Sequence, residues 1–156
     1  MTTALEAPFT VEYGHIELVT VHFDDLDAMG VLHNARYALL LERALSAFWA
    51  AHGHSFVDGR PSTSDTFNVV KEHRITYHTP VRTAGEVAVH LWTDRVDETS
   101  GTYGFRILSA DGSTVHAEGT RIVVKLDPAT MRPSPWSPQS RAIAESLART
   151  HHRPAV

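Results

Sequence analysis

From Asn34 to His52 the chain contains neither glycine nor proline, and strong helix formers fill the interval: Ala35, Ala38, Leu39, Leu40, Leu41, Glu42, Arg43, Ala44, Leu45 and Ala47. That composition predicts one long helix. Its polar residues are few, mainly Arg36, Glu42, Arg43 and Ser46. A helix apolar around so much of its circumference must be wrapped by other structure over most of its length. Gly53, directly after His52, supplies a C-terminal stop.

What wraps it is legible in the change of period that follows. Residues 53–65, with Gly53, Gly59, Pro61 and Ser62, read as a loop. Beyond it the apolar period falls from about 3.6 to 2. Strands are expected at about 66–79, 85–97, 101–110 and 113–126, the second alternating Val87, Val89 and Leu91 against Ala88, His90 and Trp92. Asp111-Gly112 marks a tight hairpin between the last two. A β-branched run within Phe9–Phe23 reads as a first strand, and Gln139–Arg149 as a short amphipathic C-terminal helix. One strand, one helix and four meandering strands form an α+β pattern: a five-stranded antiparallel sheet around a central helix. At 156 residues the chain is the size of one domain, with its core expected at about 10–128 and a tail over 129–156.

Charge and chemistry exclude several classes. A net charge of −4 without a basic stripe argues against a nucleic-acid surface. The absence of cysteine removes disulfides, thiolate zinc sites and cysteine nucleophiles. The eleven histidines are scattered without recognised ligand spacing, so no metal site is expected. The N-terminus lacks signal-peptide character and no apolar run is long enough to span a bilayer, so a cytoplasmic location without membrane contact is expected.

Chemistry is expected just before the helix, where Phe23-Asp24-Asp25-Leu26-Asp27-Ala28-Met29-Gly30-Val31-Leu32-His33-Asn34 places three carboxylates against unpaired helix-start donors. Asp27 can serve there as a general base or nucleophile, or merely favour the helix N-terminus. Asn34 reads as an N-cap at the start of the helix. His33 could hydrogen-bond Asp27 and tune it. Glu42 either pairs with an arginine such as Arg43 or Arg74, the favoured reading because an unpaired buried charge is costly, or faces a pocket as a second carboxylate.

Asp25-Leu26-Asp27-Ala28-Met29-Gly30, with Tyr37 and Glu42 behind it, resembles the opening of the hot-dog-fold acyl-CoA thioesterases of the 4-hydroxybenzoyl-CoA thioesterase-like family. Ile75-Thr76-Tyr77-His78-Thr79-Pro80 and Ala117-Glu118-Gly119 through Asp127 are similar to the same family. Where the family reads Gly-His-Val-Asn-Asn, this chain reads Gly30-Val31-Leu32-His33-Asn34. The resemblance implies a hot-dog fold and hydrolysis of an acyl-CoA to acid and thiol. It implies Asp27 as the catalytic carboxylate, the Asn34 N–H as oxyanion donor and His33 as auxiliary. Substrate contacts are implied at Gly30, Val31 and Tyr37 and, from the strand of a second copy, at Val70, Lys71 and Arg74. It further implies no cofactor, coenzyme A being part of the substrate, and a homodimer or homotetramer with sites between subunits. An acyl-carrier-protein thioesterase, a hot-dog hydratase and a non-catalytic acyl-CoA-binding protein are the rival readings; the hydratase lacks its Asp-x-x-x-x-His motif here.

Overall fold

A computed structural model of the chain describes residues 9–149. In chain order its elements are β1 (His15–Val21), α1 (Tyr37–Ala51), β2 (Phe56–Val57), β3 (Arg60–Pro61), β4 (Asn68–Tyr77), β5 (Gly85–Val96), β6 (Ser100–Ser109), β7 (Val115–Lys125) and α2 (Pro138–Ser146). Five of the strands form one antiparallel sheet in the order β1-β5-β6-β7-β4, and α1 lies against it. This is the hot-dog arrangement.

The helix starts three residues later than its composition suggests, because Asn34–Arg36 forms a 3-10 turn that leads into it. Tyr37, Leu40, Leu41, Ala44, Leu45 and Phe48 are buried, the i, i+3, i+4 stripe of a helix lying on a sheet. Each large side chain of that stripe contributes about 1.5–3 kcal/mol of hydrophobic stabilisation. The wrapping is one-sided, contrary to the sequence expectation: Leu39, Ala47, Ala50 and Ala51 remain exposed. The loop expected at 53–65 instead carries the small β2–β3 hairpin and a 3-10 turn at Ser64–Thr66.

Val87, Val89 and Leu91 face the helix core as expected. Their alternates Ala88, His90 and Trp92 are buried too. Tyr13 crosses that outer face, its carbonyl bonded to His90 Nε2 at 2.8 Å and its ring edge-on to Trp92. The expected first strand is correspondingly shorter, since Gly14, at φ +75, turns the chain before β1.

A bulge in β4 decides which of its residues reach the core. Pairing with β7 slips between Val70 and Glu72, leaving Lys71 as the extra residue. Beyond it His73 stacks on Phe105 and Ile75 joins the core, so the neighbouring Arg74 lies on the opposite face and pairs with Glu72 at 2.7 Å. Opposite Ile75 stands Gly119, where a Cβ would collide with the Arg74 carbonyl oxygen. The obstacle is backbone in a paired ladder and cannot rotate away. Gly119→Ala is therefore expected to cost at least about 1–3 kcal/mol, read as a lowered denaturant midpoint.

Candidate active site

The segment between β1 and α1 folds as a small hairpin whose ends are anchored and whose tip is open. Leu26 and Leu32 form an antiparallel bridge, Leu32 is buried, and its N–H bonds the Val81 carbonyl at 2.8 Å. At the tip, the Gly30 N–H bonds the Asp27 carbonyl at 2.9 Å, and Gly30 takes φ +75, which a side chain would oppose. Met29 at the tip is 81% exposed.

Three carboxylates occupy this segment with different surroundings. Asp25 is buried; one of its oxygens accepts the His22 N–H at 2.8 Å and the other lies 3.9 Å from Arg36 Nε. It braces the loop. Asp24 is exposed. Asp27 uses Oδ1 to accept the Met29 N–H at 2.8 Å and, at the limit, the Val31 N–H at 3.5 Å. Its Oδ2 has no hydrogen-bond partner among the described residues. Asp27 thus closes its own turn with one oxygen and leaves the other available.

The helix start differs from expectation in who caps it. His33 Nδ1 accepts the Ala35 N–H at 3.1 Å, so His33 is the N-cap and does not bond Asp27. Asn34 is the first residue of the 3-10 turn, and its N–H has no acceptor among the described residues. Its carbonyl accepts the Tyr77 hydroxyl at 3.2 Å, and Tyr77 in turn packs edge-on against Tyr37 at 5.0 Å. Tyr37 is buried, which pushes its phenol pKa upward. It is a packing residue in the protomer.

Asp24, Asp25, Asp27, His33, Arg36 and Leu39 line an open cleft of about 490 Å³ beside this helix start. Of the residues implied as substrate contacts, Gly30 and Val31 form the tip. Val70 lines a different cavity, Lys71 is the exposed bulge residue, and Arg74 lies on the far face of β4. Within one protomer none of the three lines the Asp27 cleft.

Two inward cations went unrecognised in the sequence. Buried Arg121 of β7 donates to Glu42 Oε2 at 2.5 Å and to the Ala38 carbonyl at 3.3 Å, so Glu42 is paired, but with neither Arg43 nor Arg74. Buried Lys125 donates to Asp65 at 2.8 Å. Their signal was available: Ala117, Arg121, Val123 and Lys125 are all buried positions at the strand period. Among the described residues no three His, Asp or Glu side chains are placed to hold a metal ion.

This fold recurs in solved structures. The PA5185 protein of Pseudomonas aeruginosa superposes with a TM-score of 0.77 at 19% identity, covering 88% of this chain and 93% of that one. The PA2801 protein of the same organism gives 0.75 at 25% identity, covering 85% and 98%. A Thermus thermophilus thioesterase solved with coenzyme A and zinc gives 0.68 at 23% identity, covering 85% and 92%.

At the level of sequence, the model of the thioesterase-like superfamily matches residues 21–144, and the chain belongs to that family. It is also similar to the acyl-CoA thioester hydrolase YbgC of Escherichia coli O6:H1, at 27% identity over 115 residues, 74% of this chain and 84% of that protein.

Proposed function

We propose that this chain hydrolyses an acyl-CoA thioester to the free acid and coenzyme A, with Asp27 as the reacting carboxylate. The observation that carries the reading is the unpartnered Oδ2 of Asp27, in a carboxylate fixed through Oδ1 beside a helix start whose Asn34 N–H is also unpartnered. Membership of the thioesterase-like superfamily and similarity to an acyl-CoA thioester hydrolase support the same chemistry.

Asp27 either attacks the thioester carbon or takes a proton from water that does so. The carbonyl oxygen gains charge as the new C–O bond forms, and a backbone N–H at a helix start stabilises it; one such donor is commonly worth about 3 kcal/mol. Collapse breaks the C–S bond, and CoA leaves as the thiolate and takes up a proton; where water has attacked, the acid is released directly, and where Asp27 has attacked, water then hydrolyses the acyl–Asp27 anhydride to the free acid and the restored carboxylate. His33, occupied as the cap, holds the donor turn in place.

The site is completed by a second copy. β4 is an edge strand whose outer side has no partner among the described residues, and Val69, Val70 and Tyr77 are 41%, 50% and 46% exposed along it. Edge pairing would cover these and the open apolar side of α1 together. Light scattering should find a dimer or tetramer as the active species; an active monomer would contradict the shared site. The activity itself is tested by following thiol release from short-chain, long-chain and aromatic acyl-CoA esters. Release from at least one class is expected, and none from any class refutes the assignment.

A further inference from the structure

A backbone donor that stabilises an oxyanion must point the right way before the charge forms. The Asn34 N–H has no acceptor among the described residues, so its direction is set by what holds the peptide around it. Most of those bonds are local. The Arg36 N–H closes the 3-10 turn on the His33 carbonyl at 2.8 Å, the His33 imidazole caps it, and the His33 N–H bonds the Asp25 carbonyl at 3.1 Å. All three lie within the loop between β1 and α1 and can move with it.

The attachment to the sheet comes from the end of β4 and the segment after it. The Val81 carbonyl accepts the Leu32 N–H at 2.8 Å on the entry side of His33. On the exit side, the Tyr77 hydroxyl donates to the Asn34 carbonyl at 3.2 Å, across 43 residues of sequence. The Tyr77 backbone is itself fixed, paired with Ala117 in the β4–β7 ladder and followed by the His78 N–H on the His116 carbonyl at 2.8 Å. Its ring stands edge-on to buried Tyr37, which restricts where the hydroxyl can point. Among the described residues, no other side chain from outside the loop hydrogen-bonds the backbone of residues 33–36.

For the fold this bond is minor. Tyr77 is 46% exposed, and a neutral hydrogen bond so open to water adds little net stability. Its place matters more than its strength. With the His33 N–H held by Asp25 and the Asn34 carbonyl held by Tyr77, the peptide between them, which carries the donor N–H, is restrained from both ends.

We propose that Tyr77 is a positioning residue for the hydrolysis, its hydroxyl bracing the Asn34 backbone in the orientation that presents the N–H to the thioester oxygen. The inference rests on the thioesterase reading and deepens it. Tyr77 acts through Asn34, and its hydroxyl touches none of the reacting atoms.

Tyr77→Phe tests the proposal, because it keeps the ring against Tyr37 and removes only the hydroxyl. Thiol release from the acyl-CoA ester that the wild type turns over fastest is measured alongside thermal melting and nitrogen-15 relaxation of the ligand-free proteins. The kcat is expected to fall about three- to tenfold, the scale of one neutral hydrogen bond, with KM and the melting temperature unchanged. The order parameter of the Asn34 amide should drop from the rigid backbone value, about 0.85, by about 0.1 or more. An unchanged kcat, a raised KM at constant kcat, or a kcat loss that comes only with a lowered melting temperature each overturns the proposal. If wild-type protein releases no thiol, the hydrolytic reading falls, and the Asn34 amide decides the brace alone: a looser amide in Tyr77→Phe upholds it and an equally rigid one refutes it.

Discussion

Replacing Lys125 by methionine is expected to remove about 3–5 kcal/mol of folding stability, because it strands a buried carboxylate. Asp65 and Lys125 are 6% and 5% exposed, and their contact at 2.8 Å is the centre of a clamp. Lys125 Nζ also reaches Ser64 Oγ at 3.1 Å and the Pro135 carbonyl at 2.8 Å. Asp65 accepts the Ser137 N–H at 3.0 Å and both the Ser137 and Ser140 hydroxyls. One ion pair thus ties the turn after β3, the end of β7 and the start of α2 together. Losing it should lower the melting temperature by on the order of 10 °C. The same event should loosen the attachment of the start of α2, which Asp65 holds through Ser137 and Ser140.

The clamp also sets an acid limit. Burial alone would raise the Asp65 carboxyl, but hydrogen bonds from Lys125, Ser137 and Ser140 outweigh it and hold the group well below the usual carboxylate range. A depressed folded-state value means that this stability is complete above the unfolded carboxylate value, about pH 4, and is lost as the pH falls toward the folded one. Melting curves taken between neutral pH and about pH 3 should therefore fall steeply for the wild type below about pH 4. An Asp65→Leu/Lys125→Met double variant, which replaces the pair with apolar groups, should show a shallower fall over the same window. An equally steep fall in the double variant would assign the acid sensitivity to other carboxylates.

How much of this the sequence discloses follows from the range of each interaction. The helix and the strands are local patterns, so the Gly- and Pro-free run before Gly53 and the alternation of Val87, Val89 and Leu91 were enough to place them. The hairpin at Asp111-Gly112 forms as its turn chemistry demands, with the Gly112 N–H on the Ser109 carbonyl. What stayed hidden is long-range. Asp65 meets a lysine 60 residues away, and Glu42 meets an arginine 79 residues away, where no spacing rule applies.

The bulge at Lys71 exposes a subtler limit. Strict alternation from Val70 would send Arg74 inward and His73 outward, and one extra residue reverses both. At the site itself, Asp27 and the helix start could be located from residue types alone. Which of His33 and Asn34 caps the turn could not, because an imidazole nitrogen and a carboxamide oxygen can both accept the same N–H.

The central claim is that Asp27 supplies the reacting oxygen, and Asp27→Asn separates that role from a structural one. Asparagine keeps an oxygen able to accept the Met29 N–H that Asp27 Oδ1 holds at 2.8 Å, so the turn survives while the charge and basicity of the second oxygen are lost. The decisive measurement is thiol release by wild-type and Asp27→Asn protein from the acyl-CoA ester that the wild type turns over fastest, with binding of that ester measured in parallel. The account predicts a fall in kcat of about 10²–10⁴-fold with the affinity for the ester retained. Equal kcat in the two proteins, with the ester bound equally well, would contradict it and leave Asp27 a turn-forming residue only.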